Sequence, residues 1–219
     1  MRKRYQPRFR AAAFRVCCRA LSARPLVEPF PNSRNREGDP REGRFQTPGR
    51  IKVVTDTHLV VREARPDEWH AAGELAVRAY RAGGHDAIDN GYLEVVLDAA
   101  SRAIPGPLFV ALRDDVIVGT GTLCAPGTSH AELCRDDECE FRFLAVEPDA
   151  WGTGVAAALL DALEAHAREA GARQLVCCVI TWNEPAHRLY VARGYQRIPE
   201  RDWLPIPEVT LLAYALPLA

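Results

Sequence analysis

An α/β chain built around one mixed sheet is what this sequence predicts, and three observations carry the prediction. Short β-rich runs and helical periods interleave along residues 58–219 in the order β-α-α-β-β-β-α-β-α-β-β. A tight hairpin joins two of the early runs, so the sheet begins antiparallel. Later a glycine-rich turn leads from a strand into a helix, and the strand beyond that helix returns parallel to the first.

Leu59 to Arg62 is the first β-rich run. Pro66-Asp67-Glu68 then opens a helix whose apolar positions Trp69, Ala72, Leu75, Ala76, Ala79 and Tyr80 keep helical spacing. Gly83-Gly84-His85-Asp86 breaks that helix, and a second is expected from Tyr92 to Ala103, stopped by Pro105-Gly106-Pro107. Leu108–Arg113 and Val116–Leu123 read as an antiparallel pair turned at Asp114-Asp115, and residues 125–138 as a polar loop. Glu140–Val146 is a strand ended by Pro148. The next helix presents Val155, Leu159, Leu160, Leu163 and Ala167 on one face and stops at Gly171. Leu175–Ile180 is apolar throughout, as a strand covered on both faces must be, and it is followed by a short helix over Glu184–Ala192 and a last strand over Val209–Ala215.

Composition bounds the class. With 47% hydrophobic and 26% charged residues, 219 residues make one globular domain plus an extension. No apolar run approaches the roughly 20 residues of a membrane-spanning helix, so no membrane partner is expected. Seven cysteines are an odd number in a chain large enough to fold without disulfides, which points to reduced thiols and a cytoplasmic protein. Cys134 and Cys139 have no matching second pair and the six histidines are scattered, so no metal site is expected.

The net charge of -1 conceals an asymmetry. Residues 1–50 hold thirteen basic residues against four acidic ones, which leaves an acidic remainder. Residues 1–52 lack any sustained period and read as a basic, disordered extension in front of the domain at 58–219. A dispensable extension, an electrostatic arm for an acidic partner and an organelle transit peptide all fit it, and no nucleic-acid partner is assigned.

The chemistry concentrates in Leu144-Ala145-Val146-Glu147-Pro148-Asp149-Ala150-Trp151-Gly152-Thr153-Gly154-Val155-Ala156. A helix start leaves about four N–H groups unpaired and carries roughly half a positive charge, so it favours an anion, phosphate above all. Gly152, Gly154 and Ala156 keep the approach bare, while Thr153 and Val155 still contribute their N–H groups. Gly152 to Ala157 also satisfies the dinucleotide pattern G-x-G-x-x-A. Against that alternative, Glu147 to Trp151 separate the first glycine from its strand, and the next strand ends without an acid to hold a ribose.

Here the chain resembles the GCN5-related N-acetyltransferases (GNAT) over residues 58–219. The acetyl-coenzyme A turn of that family, an apolar strand, Pro, then Arg/Gln-x-x-G-x-G/A, is met by Leu144-Ala145-Val146-x-Pro148 and Trp151 to Ala156. A second motif, N-x-x-A-x-x-L-Y-x-x-x-G-F/Y, is met by Asn183, Ala186, Leu189, Tyr190, Gly194 and Tyr195. Trp151 departs from the pattern, so a cationic contact is lost. Either coenzyme A affinity is lower, or the indole packs on the cofactor or the following helix, which is preferred.

The resemblance implies a GNAT-like mixed central sheet and transfer of acetyl from acetyl-CoA, without a metal, to a primary amine of a small molecule or peptide, by direct attack in a ternary complex in a monomer or homodimer. A non-catalytic acyl-CoA-binding regulatory module is the alternative. Leu144, Ala145 and Val146 would bind the pantetheine arm and thioester oxygen, Trp151, Gly152, Thr153, Gly154, Val155 and Ala156 the pyrophosphate, and Asn183 would cap a helix or touch the arm. Tyr190 would be the acid for the thiolate, or else an aromatic filling the space between helix and sheet. Glu140 is the first candidate base, with an exposed strand-end acid as the alternative and Glu138 and Asp137 as rivals. The loop Gly83 to Tyr92 and the region around Asp202-Trp203 would line the amine pocket, with Asp86, Asp89 and Asp202 either attracting a cationic amine or standing as solvated loop acids, and His187 and Arg188 would either meet the 3'-phosphate or be solvated at the surface.

Overall fold

The computed structural model describes residues 53–56, 59–85, 91–104 and 106–218, so the basic segment 1–52, Asp86 and Asp89 lie outside the described residues. Nine strands form one sheet: β1 Val53–Asp56, β2 Leu59–Glu63, β3 Leu108–Arg113, β4 Val116–Cys124, β5 Glu138–Val146, β6 Gln174–Ile180, β7 Gln196–Arg197, β8 Trp203–Ile206 and β9 Val209–Pro217. The helices are α1 Trp69–Ala82, α2 Tyr92–Leu97, α3 Ala99–Ala103, α4 Val155–Glu169 and α5 Glu184–Ala192. Sheet order is β1-β2-β3-β4-β5-β6-β9-β7, with β8 on β9. All neighbours pair antiparallel except β5 and β6, which are parallel and joined through α4, as the turn-to-helix pattern predicts.

Two apolar layers enclose the sheet. One gathers Val155, Leu159, Leu160 and Leu163 of α4 with Phe109, Phe141, Leu175, Cys177 and Tyr190. The other gathers Leu75, Ala76 and Ala79 of α1 with Val96, Phe143 and Ala145. Glycine at 119 lets α4 sit close on β4, since a Cβ there would lie 2.8 Å from Val155 Cγ1 and 2.9 Å from Leu159 Cδ1. The hairpin turn is confirmed in detail: Asp114 and Asp115 both have positive φ (49° and 63°), the type I′ geometry that matches strand twist.

Three features differ from expectation, the first being that three strands, β7, β8 and β9, follow α5 where two were expected. Strand β1 pairs with the outer edge of β2, although its four residues are too few to show a period. The helix expected over Tyr92–Ala103 is two short ones, because the Asp98 side chain accepts the Ser101 N–H at 3.2 Å and starts α3 afresh.

Candidate active site

Strands β5 and β6 pair only through Glu138–Gln174, Cys139–Leu175 and Glu140–Val176, and β6 then continues against β9 as far as Ile180. Beyond Glu140 the two strands part, so the edge of β5 from Phe141 to Val146 faces a gap. The expected pantetheine-binding residues Leu144, Ala145 and Val146 lie on that edge.

A bulge shapes it. The β4–β5 register runs Thr122–Arg142 and then Thr120–Ala145, so β5 carries one residue more than its partner there. Phe143, with φ 55°, supplies the irregularity at a cost of about 1–2 kcal/mol for a side chain in the left-handed region. The bulge also redistributes the faces. Phe141 and Leu144 pack with α4, whereas Phe143 and Ala145 pack with α1.

At the end of β5 the chain passes through a 3-10 turn, Pro148–Ala150, into α4. Gly152 and Gly154 have φ of 75° and 86°, and a Cβ at either would meet nothing within 4 Å. The first bond of α4 runs from the Ala158 N–H to Gly154 O, so the N–H groups of Val155, Ala156 and Ala157 emerge at the helix start with no intrahelical partner. Trp151 sends its indole N–H to Val146 O at 2.8 Å and is 51% exposed, so its polar edge ties the turn to the strand end. A cation reaches the turn from elsewhere: Arg113, at the end of β3, donates to Thr153 Oγ1 (3.2 and 3.3 Å) and Thr153 O (3.4 Å). Nothing in the local sequence pairs residues 113 and 153; only the sheet order brings them together.

On the α4 and α5 side Tyr190 stands 5.5 Å from the Phe141 ring and 5.9 Å from Tyr214, centroid to centroid. Burial pushes the Tyr190 phenol well above 10, with the neighbouring Cys177 and Tyr80 contributing next. Tyr80 belongs to α1 on the other face, so the two phenols sense each other through the sheet at the parting strands. Asn183 caps α5, accepting the Ala186 N–H at 3.2 Å. His187 turns inward: its Nε2–H donates to Ile180 O (3.1 Å) and its Nδ1 accepts from the Tyr214 hydroxyl (2.8 Å). Arg188 pairs with Glu184 on the exposed side of the same helix.

The acids of the α1 side are engaged. Glu140 is fully buried rather than an exposed strand-end acid; its Oε2 accepts the N–H groups of Glu132 (2.8 Å), Leu133 (2.7 Å) and Cys134 (3.3 Å). Burial raises its pKa, although Arg142 and the amides pull the other way. Glu138 meets Arg201 at 2.6 and 2.9 Å and is held below the usual carboxylate range despite its burial, and Asp137 pairs with Arg173. Asp202 pairs with Arg197 and accepts the Ala213 N–H at 2.7 Å. Trp203 begins β8, its buried Nε1 without a partner among the described residues.

Sequence reasoning missed an aromatic wall on this side. His85 stands 4.7 Å from Tyr80 and 6.3 Å from Trp182, and Tyr80 lies 6.0 Å from Tyr92, centroid to centroid. His85 Nδ1 is 3.0 Å from Tyr80 O, so in the neutral ring that nitrogen carries the proton and Nε2 the lone pair. Burial lowers the His85 pKa below 6.5. Among the described residues no group of three His, Cys, Asp or Glu side chains is placed to hold a metal ion.

A parallel pair that parts beside a bare helix start, with helices on both faces, is the plan of the acetyltransferase class of α/β fold. The chain matches the Acetyltransferase (GNAT) family over residues 69–195, and it belongs to that family of acyltransferases. A mycothiol acetyltransferase from Kytococcus sedentarius is 38% identical over 111 residues, 50% of this chain and 31% of that protein. The chain thus spans about a third of that relative's length. An acetyltransferase of the GNAT family from Staphylococcus aureus shares the fold with a TM-score of 0.60 at 15% identity, over 74% of this chain and 99% of that one. An acetyltransferase from Salmonella typhimurium, solved with its cofactor acetyl-CoA, does so with a TM-score of 0.57 at 18% identity, over 74% and 95%.

Proposed function

We propose that this protein transfers the acetyl group of acetyl-CoA to a primary amine of a small molecule or peptide by direct attack in a ternary complex. The observation that carries the proposal is the gap between β5 and β6 running up to the side-chain-free start of α4. Val155, Ala156 and Ala157 offer amides to a pyrophosphate, whereas the Thr153 N–H is taken by Ala150 O; the free edge of β5 offers a ladder to an extended amide-bearing arm, and Arg113 adds a cation at the turn.

Bound acetyl-CoA supplies an acetyl thioester. Amides on the β5 edge hold its carbonyl oxygen and steady the charge that develops there as the nitrogen–carbon bond forms. Tyr190, kept neutral by burial, holds a proton for the departing thiolate when the carbon–sulfur bond breaks. Glu140, which the sequence favoured as base, is an anchor for residues 132–134 in this reading. The lone pair of His85 Nε2 receives the proton of the acceptor ammonium instead. The similarity to a mycothiol acetyltransferase supports transfer of an acetyl group. The five described cysteines are free thiols, in keeping with a cytoplasmic enzyme, and among the described residues no helix is long and apolar enough to cross a membrane.

Thiol release over a panel of amines, measured beside acetyl-CoA titration, tests the reading. Turnover with at least one amine is expected; tight binding without release over any acceptor would make the protein a regulatory module. For the base, kcat/KM is expected to fall as pH drops through a value below 6.5, because only neutral imidazole accepts the proton. His85→Gln should remove that limb; a limb that survives the substitution assigns the base elsewhere.

A further inference from the structure

Two unfavourable features meet at one ring. Phe143 holds a left-handed backbone without being glycine. Arg102, on α3, is 1% exposed; its Nη1 donates to main-chain oxygens of Val95 (3.3 Å) and Val96 (2.7 Å), and its Nε and Nη2 have no partner among the described residues. Burying a guanidinium without a carboxylate beside it is unfavourable, and so is leaving its N–H groups unmet. What the group does meet is the Phe143 ring, 4.4 Å from its Cζ to the centroid. Arg142 lies over the same ring at 4.9 Å.

Each guanidinium ties the ring to a different part of the α1 side. Arg102 links it to the end of α2 through the Val95 and Val96 carbonyls. Arg142 links it to the loop before β5, donating to His130 O at 2.6 Å and pairing with Glu132 at 2.9 Å. His130 itself meets the ring edge-on at 5.8 Å. Phe143 is also the bulge residue, and the bulge decides which amides of β5 turn toward the gap. A slip of one residue would present a different set.

We propose that Arg102 is a positioning residue for acetyl transfer: through the Phe143 ring it holds the β5 bulge in the register that aims the strand's N–H groups into the gap. The proposal rests on the reading of the gap as the transfer site. It separates two tasks, since the phosphate turn at residues 152–157 lies beyond the bulge and does not depend on Arg102.

The test is the split between turnover and cofactor affinity in Arg102→Met, which keeps length but removes the charge and donors. kcat is expected to fall about ten- to hundredfold, as for a misplaced reacting group, while acetyl-CoA affinity falls several times less, because the turn at residues 152–157 still holds the pyrophosphate and only the β5 part of the arm's site is disturbed. Phe143→Leu should show the same split, and the double variant should fall no further than either single one. A wild-type kcat in folded Arg102→Met, a parallel loss of kcat and affinity, or additive losses in the double variant would overturn the proposal. Should Arg102→Met not fold, Phe143→Leu decides alone: a loss of kcat well beyond the loss of affinity supports the proposal, and a wild-type kcat or an equal loss of both refutes it. A wild-type protein that transfers no acetyl group to any amine would instead overturn the reading of the site.

Discussion

The face of β5 toward α4 and α5 presents main-chain amides, small residues and one phenol, whereas the face toward α1 is assembled from long charged side chains and aromatic rings of α3, the loop before β5 and β5 itself. Gly152, Gly154 and Ala156 do their work by what they omit, and the phosphate turn therefore stays within a dozen residues of sequence. The α1 face depends on Arg102, His130, Glu132, Arg142 and Phe143 meeting in space. Backbone recognition suits the part of a ligand common to a whole family of reactions; side-chain recognition suits the part that differs from one acceptor to the next.

That contrast can be broken in order of expected effect. Gly154→Val should bring the largest loss. It puts a β-branched residue at φ 86° and a side chain before the amides. Losing one or two hydrogen bonds to a charged group at about 1.5–3 kcal/mol each weakens acetyl-CoA binding about a hundredfold or more by calorimetry. Unchanged affinity would move the anion site elsewhere. Tyr190→Phe should lower kcat about a hundredfold with cofactor Kd unchanged. An unaltered kcat would reduce Tyr190 to a packing residue.

Glu140→Ala probes the opposite face. It strands three part-buried amides, a loss of about 3–5 kcal/mol that should lower the thermal midpoint by about 10 °C, while Arg142 keeps Glu132 and His130 O. A collapse of kcat at an unchanged midpoint would restore Glu140 as the base. Smallest is Trp151→Arg. An added cation near a helix start is worth about 0.3–1 kcal/mol to an anion bound there, so acetyl-CoA should bind about two- to fivefold tighter, less whatever the lost Val146 contact costs. No change would mean that Arg113 already fills the role.

What could be read from the chain follows the same line. The Asp114-Asp115 turn, the α4 and α5 boundaries and both motif segments were legible because turn chemistry, helix period and bare glycines are local properties. Strand β1 was not, because four residues show no period, and neither was the break at Asp98, where one capping bond outweighs helix propensity. Among site residues, Asn183 and the 152–156 turn lie where their motifs put them. Glu140 had the right strand but an unforeseeable burial, since the loop that wraps it is polar and aperiodic. Arg113, His85 and Arg102 carried no signal, for each gains its meaning from a partner at least five residues away, in Arg113's case across two strands.

The wrapping of Glu140 has one more consequence. Three successive amides converge on a single carboxylate oxygen, which makes residues 132–134 a second cradle for negative charge, already filled by the chain's own side chain. The cradle at the start of α4 is left for a guest. Satisfying one internally means that the shape of the wall beside the gap is settled by folding alone.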